Sequence, residues 1–176
     1  NLAMSLGVCM RLGINYSALK ERLLEWRPSA LRGEIWIGDG QIFYVDCYNS
    51  NPVSMKEALI GFSNEFPRQP RLFVLGCMNE LGSESIAIHK QVGESVSLSS
   101  NDSAILCGDE SEALRAGMLE SGVDSSSITI VDHVEDARSL IETFEGAILL
   151  KGSRTYGLET LLPTYLKSSE RSFAIC

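Results

Sequence analysis

The apolar positions of the chain change their period along its length, and each change marks a predicted element. Leu2, Leu6, Cys9 and Met10 recur at helical spacing, so a helix is expected over 2–12, stopped by Gly13. Asn15 opens a second expected helix with Leu19, Leu23 and Trp26 on one face, and Arg27-Pro28-Ser29 reads as a linker. From Glu34 the period drops to two: strands are expected at 34–37 and 41–46 around the turn Gly38-Asp39-Gly40. Further strands are expected at 71–76, 103–107, 127–131 and 146–150. They alternate with expected helices at 52–64, 83–98, 110–121, 133–144 and 155–167. Met55, Ala58, Leu59, Phe62 and Phe66 stripe the first of these. Val134, Ala137, Ile141 and Phe144 stripe the fourth, and Leu158, Leu161, Leu162 and Tyr165 the last. Asp132 and Glu135 have capping-box spacing, and Ser172–Ile175 is a candidate edge strand.

Strand–helix alternation of this kind predicts an α/β fold: a Rossmann-like, mostly parallel sheet with helices on both faces. The carboxyl ends of parallel strands share one edge, so Asp46, Gly76, Gly108, Asp132 and Lys151 are expected on one rim. No Gly-x-Gly-x-x-Gly follows the first strand, which argues against a dinucleotide cofactor.

Composition narrows the function classes. A chain of 176 residues, 44% apolar, accommodates one ordinary domain plus a short appendage. Its formal charge of −8 argues against a general nucleic-acid or anionic-membrane binder. No apolar run approaches the roughly 20 residues needed to span a bilayer, and no signal segment opens the chain. The five cysteines are odd in number and include no Cys-x-x-Cys, which favours reduced thiols and a cytoplasmic location. Cys47, Cys77 and Cys107 recur at about the length of one βα unit near expected strand ends, and the absence of a nearby His-rich partner favours that explanation over a metal site. The first residue is not Met, so the chain is expected to be part of something longer.

Three segments carry candidate chemistry. Residues 46–55, Asp-Cys-Tyr-Asn-Ser-Asn-Pro-Val-Ser-Met, form a strand-to-helix turn with a carboxylate, a phenol and amides. Asn51 suits an N-cap and Pro52 the first helical turn, so Asn49 and Tyr48 are the better ligand contacts. Residues 74–82 read Val-Leu-Gly-Cys-Met-Asn-Glu-Leu-Gly, where Glu80 suits either a substrate contact or a loop brace. Lys151-Gly152-Ser153-Arg154 places two cations, a hydroxyl and a glycine at a strand end, which suits an anion, or else a capping serine beside solvated cations. His89 has no triad partners and reads as structural, and His133 as a helix-start residue. Arg32 and Asp46 suit either a hinge salt bridge or a nucleotide, with phosphate or ring for the guanidinium and ribose hydroxyls for the carboxylate.

In this order and at these separations, the three segments resemble the C-terminal domain of the Mur ligases. The branch joining D-alanyl-D-alanine to UDP-MurNAc-tripeptide has a similar pattern: Asp-Ser-Tyr-Asn-Ala-Asn-Pro, then Leu-Gly-Asp-Met-x-Glu-Leu-Gly, then Lys-Gly-Ser-Arg. The resemblance implies that residues 1–30 end a central ATPase domain and 31–176 form the C-terminal domain. It implies an ATP-dependent ligase of peptidoglycan synthesis, with an acyl phosphate intermediate and Mg²⁺ bound mainly by the central domain. Partners would be UDP-MurNAc-tripeptide, D-alanyl-D-alanine and the chain's own other domains. Arg32, Asp46, Tyr48 and Asn49 would contact nucleotide; Asn51, Glu80, Lys151, Ser153 and Arg154 would serve the substrate side. No residue here would be catalytic, and the isolated chain is expected to lack ligase and ATPase activity. Cys77 departs from the pattern's aspartate and Cys47 from its serine. The alternatives are another Mur-type or cyanophycin-synthetase-like ligase, whose usual histidine is absent at Asn49 and Asn51, or a non-catalytic binding module of flavodoxin-like topology.

Overall fold

The computed structural model describes residues 2–26 and 29–167. Two helices, α1 (Leu2–Arg11) and α2 (Tyr16–Glu25), precede a six-stranded sheet. Its strands are β1 (Glu34–Gly38), β2 (Gln41–Asp46), β3 (Arg71–Gly76), β4 (Ser103–Cys107), β5 (Ile128–Val131) and β6 (Gly146–Lys151). They lie in the order β1-β2-β6-β3-β4-β5; only the β1–β2 hairpin is antiparallel. The expected Rossmann-like sheet is thus present.

The apolar runs of β3, β4 and β6 follow from this position. Strands covered on both faces cannot alternate, and Leu72–Leu75, Ala104–Cys107 and Ala147–Leu150 are all buried. On one face, α3 (Pro52–Glu65), α4 (Ser85–Gly93) and α5 (Ser111–Glu120) contribute Met55, Leu59, Phe62, Val92, Leu114 and Met118 to the core. Phe62 packs edge-on against Phe73 with ring centroids 5.1 Å apart. On the other face, Ala137, Ile141, Leu158, Leu161, Leu162 and Leu166 cover Phe43, Val74, Ile105 and Ile148. The chain leaves β2 and β3 towards the first face and β6 towards the second. The direction of winding therefore reverses around β6, and a crevice is expected there.

Three expected helices differ from the structure. The 83–98 helix is a 3-10 turn, Gly82–Glu84, followed by α4, which ends at Gly93. There α4 meets α5 backbone to backbone: a Cβ on Gly93 would lie 2.1 Å from the Leu114 carbonyl oxygen, and one on Gly117 2.0 Å from that of Lys90. The chain then turns so that Val96 enters the core. The 133–144 helix is a 3-10 turn, Val134–Ala137, and a short α6, Arg138–Glu142. Its cap lies one residue later than the expected Asp132–Glu135 pair: the His133 N–H donates to Asp136 Oδ2 at 3.2 Å. The 155–167 helix is two 3-10 turns, Arg154–Tyr156 and Leu158–Leu161, then α7, Thr164–Lys167. Gly157, at φ 59°, breaks the first turn from the second, and Pro163 interrupts again, so Leu166 is buried and Tyr165 is not. Ser172–Ile175 and the linker's Arg27-Pro28 lie outside the described residues.

α1 and α2 bury no residue. Met4, Val8, Met10, Leu12, Ile14, Tyr16, Leu24 and Trp26 are exposed on and around them. Among the described residues, no helix is long and apolar enough to cross a membrane.

Candidate functional site

The rim above β2, β6 and β3 gathers the three sequence segments. Asp46 and Lys151 are register partners across β2 and β6, and Lys151 is also the register partner of Leu75 in β3. The β2–α3 turn, the loop after β3 and the Lys-Gly-Ser-Arg turn therefore meet at the reversal point.

Each residue of the last turn does a different task. The Lys151 side chain is 1% exposed; its Nζ donates to the Asn49 carbonyl at 2.7 Å and lies 3.2 Å from Asp46 Oδ2. Gly152 permits a close approach of two strand ends, since a Cβ there would lie 2.8 Å from Gly76 Cα. Ser153 is buried; its Oγ accepts from the Asn79 N–H at 2.9 Å and its N–H donates to the Cys77 carbonyl at 3.2 Å. Asn79 Nδ2 adds a bond to Thr155 Oγ1 at 2.7 Å, so two rim loops are clasped together. Ser153 thus opens the 3-10 turn without a side-chain cap. The Arg154 guanidinium pairs with Glu159, whose other oxygen lies 3.8 Å from Cys47 Sγ. The four residues stitch the rim together, and Arg154 is the exposed one.

Arg32 and Tyr48 also meet. The guanidinium lies over the Tyr48 ring, 4.2 Å from its centroid, and the Tyr48 N–H donates to the Leu31 carbonyl at 3.1 Å. With Arg32 stacked on Tyr48 and Asp46 paired with Lys151, the structure places both outside an Arg32–Asp46 hinge bridge. Asn49 accepts from the Ser50 N–H through Oδ1 at 2.8 Å and is exposed. Asn51 caps α3 in a reciprocal box with Ser54: Oδ1 accepts from the Ser54 N–H at 2.8 Å, and the Asn51 N–H donates to Ser54 Oγ at 3.1 Å. Glu80 is exposed and adopts φ 62°, a left-handed conformation uncommon for a side-chain-bearing residue.

Sequence reasoning missed Tyr156. Its ring lies across the ends of β3 and β4, where a Cβ on Gly76 would meet it at 3.1 Å and one on Gly108, at φ 113°, would meet its hydroxyl at 2.5 Å. Glycines ending two neighbouring strands were the available signal. Burial first, then nearby acids and thiols, push the Tyr156 hydroxyl up to about 12.

His89 braces the loop after β3. Its Nε2 accepts from the Met78 N–H at 2.8 Å, and Nδ1 lies 2.7 Å from the Ser85 carbonyl, to which it donates. Ser85 Oγ donates to Glu110 at 2.7 Å. Cys77, His89 and Glu110 offer ligand atoms within 4.8 Å of one another, the one such metal-like group among the described residues. Both imidazole nitrogens are engaged, and burial raises the Cys77 thiol to about 11. A thiol and an imidazole are also poor donors for Mg²⁺, which takes oxygen ligands. The group does not fit that ion. Cys47 and Cys107 are pushed up to about 12, chiefly by burial, Cys47 also by the charge of Glu159. None of these three is a poised thiolate nucleophile.

A mostly parallel sheet reversing at β6, with its acidic, basic and aromatic groups gathered on the carboxyl rim, defines a ligand-contacting α/β domain. The chain belongs to the Mur ligase family: the family's model described as "Mur ligase, glutamate ligase domain" matches residues 32–154. It is 29% identical over 167 residues to the UDP-N-acetylmuramoyl-tripeptide–D-alanyl-D-alanine ligase of Escherichia coli K12, covering 92% of this chain and 35% of that protein. The fold matches MurF of Acinetobacter baumannii with a TM-score of 0.75 at 22% identity, over 91% of this chain and 35% of the other. It matches Thermotoga maritima MurF in complex with ADP with a TM-score of 0.72 at 23% identity, over 93% and 36% respectively. The chain thus spans about a third of the length of these relatives.

Proposed function

We propose that this chain is the C-terminal part of an ATP-dependent amide ligase that joins D-alanyl-D-alanine to UDP-MurNAc-tripeptide in cytoplasmic peptidoglycan synthesis. The observation that carries the reading is the meeting of three family-like segments at the reversal point of the sheet, together with the similarity to the E. coli ligase. Residues 1–30 are the end of the adjoining central domain. The exposed apolar side chains of α1 and α2, and a family match beginning at residue 32, support that boundary.

In this reading ATP phosphorylates the tripeptide's terminal carboxylate, and the dipeptide amine attacks the acyl phosphate. Arg32 and Tyr48 offer a stacked cation and ring to the nucleotide, and Asp46 accepts from its ribose hydroxyls. Asn49 adds an amide at the same turn. Arg154, Asn51 and Glu80 serve the dipeptide side, where Arg154 exchanges Glu159 for the substrate carboxylate. Ser153 shapes that side through its clasp on Asn79. Closure of this domain over the central one excludes water from the acyl phosphate. Mg²⁺ would be held mainly by the central domain, as the resemblance implies; the Cys77–His89–Glu110 group does not suit it.

The test is phosphate release and amide formation with ATP, Mg²⁺, UDP-MurNAc-tripeptide and D-alanyl-D-alanine. The full-length protein is expected to turn over only with both substrates present, and the 176-residue chain to show no turnover. Turnover that ignores the dipeptide overturns the substrate assignment; turnover by the isolated chain overturns its reading as a part. Arg154→Lys is expected to raise the dipeptide KM with a smaller effect on ATP, because a lysine cannot pair a carboxylate bidentately.

A further inference from the structure

We infer that Lys151 is a positioning residue for the nucleotide, acting from beneath the rim through Asp46 and the turn that follows it. The inference rests on the reading of Asp46 as a nucleotide contact. β6 is the central strand at the reversal point, and the rest of it, Gly-Ala-Ile-Leu-Leu, is apolar. An apolar side chain would end it without the desolvation cost of an ammonium. That cost is compensated by what the ammonium holds. A buried lysine needs acceptors, and the two it has, Asp46 Oδ2 and the Asn49 carbonyl, both belong to the β2–α3 turn.

These attachments bracket Tyr48, the residue on which Arg32 stacks. Beyond Asn49 the turn is held by the Asn49–Ser50 bond and the Asn51–Ser54 box. Lys151 completes the fastening on the other side. At 1% side-chain exposure its ammonium is directed to Asp46 and Asn49, so in this reading it acts through them. Asp46, a quarter exposed, spends one oxygen on Lys151 and keeps the other for the rim. The lysine therefore sets the direction in which the carboxylate presents its remaining lone pairs.

The experiment uses the full-length protein and measures AMP-PNP affinity by calorimetry for wild type, Lys151→Met, Asp46→Asn and the double variant. Asp46→Asn and Lys151→Met are each expected to weaken binding about tenfold or more, and the double variant to be no weaker than the poorer single one. Fully additive losses mean that Lys151 acts independently of Asp46 and overturn the inference. Unchanged affinity in Lys151→Met with a loss in Asp46→Asn overturns it while leaving the nucleotide reading intact. Unchanged affinity in Asp46→Asn removes the nucleotide reading and the inference with it. A second measurement needs no folded variant: the side-chain ammonium resonance of Lys151 in the wild-type protein is followed by ¹H–¹⁵N NMR during AMP-PNP titration. It is expected to shift with the same midpoint as the calorimetric binding, and a resonance unmoved at saturation overturns the proposal.

Discussion

The two edges of the sheet each carry a buried cation paired with an aspartate, and the pairs differ in what they leave over. At the amino edge, Arg71 at the start of β3 grips Asp102 through Nε at 3.1 and 3.2 Å and again through its terminal nitrogen. The backbone N–H groups of Arg71 and Ser99 donate to the same carboxylate at 3.0 and 2.7 Å, and Arg71 reaches the Ser63 carbonyl at 3.3 Å. Side-chain exposure is 10% for Arg71 and 2% for Asp102. At the carboxyl edge, Lys151 gives Asp46 one contact, and that carboxylate stays 25% exposed. A saturated pair can only hold the fold together. A pair with an acceptor turned to solvent can also meet a ligand, and it is the second that sits at the reversal point.

The comparison is broken most severely at the saturated pair. Asp102→Ala strands a buried guanidinium and is expected to destabilise the chain by about 3–5 kcal/mol in chemical denaturation. The pair also has a pH signature. Burial alone would raise the Asp102 carboxyl, but the bonds from Arg71 and Ser99 and the charge of Arg71 outweigh it and hold the group below its ordinary value. A depressed folded value means that the unfolded chain binds protons first as pH falls. The contribution is therefore complete above the unfolded value near 3.9 and is lost as pH drops through the lower folded one. Asp102→Asn is expected to flatten that acid limb of the stability curve while leaving nucleotide affinity unchanged in the full-length protein.

The open pair is expected to show the opposite balance. Asp46→Asn keeps an acceptor for Lys151 but removes its countercharge, so stability should fall, though less than in Asp102→Ala, because Asp46 is a quarter exposed and the Asn49 carbonyl still holds the ammonium. Nucleotide affinity in the full-length protein should fall by about 1.5–3 kcal/mol, roughly ten- to a hundredfold. Loss of stability without loss of affinity would make the two edges equivalent.

The smallest expected effect sharpens the contrast within the rim. Ser50 Oγ is buried with no hydrogen-bond partner among the described residues, at a position where the family-like pattern has alanine. Ser50→Ala is expected to raise stability by about 1 kcal/mol, read from the denaturation midpoint, because an unsatisfied buried hydroxyl is removed.

Much of this molecule follows from its one-dimensional pattern. Period-two alternation over 41–46 and the apolar runs of 71–76, 103–107 and 146–150 identify strands because the pleat or two-sided burial dictates them. The Asn51-Pro52 start of α3 is legible because a cap is made within one turn of chain. The order of segments also reveals the family, since three motifs in register are specific where each alone is not. What the sequence could not determine is how far each helix runs and whom each polar group meets. α4 ends at Gly93, where the absence of a side chain lets α5 lie against it, and the stretch after Ser153 is broken into 3-10 turns at Gly157 and Pro163, with leucines 158, 161, 162 and 166 on one face. Lys151, Ser153 and Arg154 looked alike as rim donors; packing turned the first inward to a residue 105 positions earlier, the second to a neighbouring loop and the third outwards to Glu159. Local bonding is written in adjacent residues, whereas the partner of a buried charge is settled only when distant strands are brought side by side.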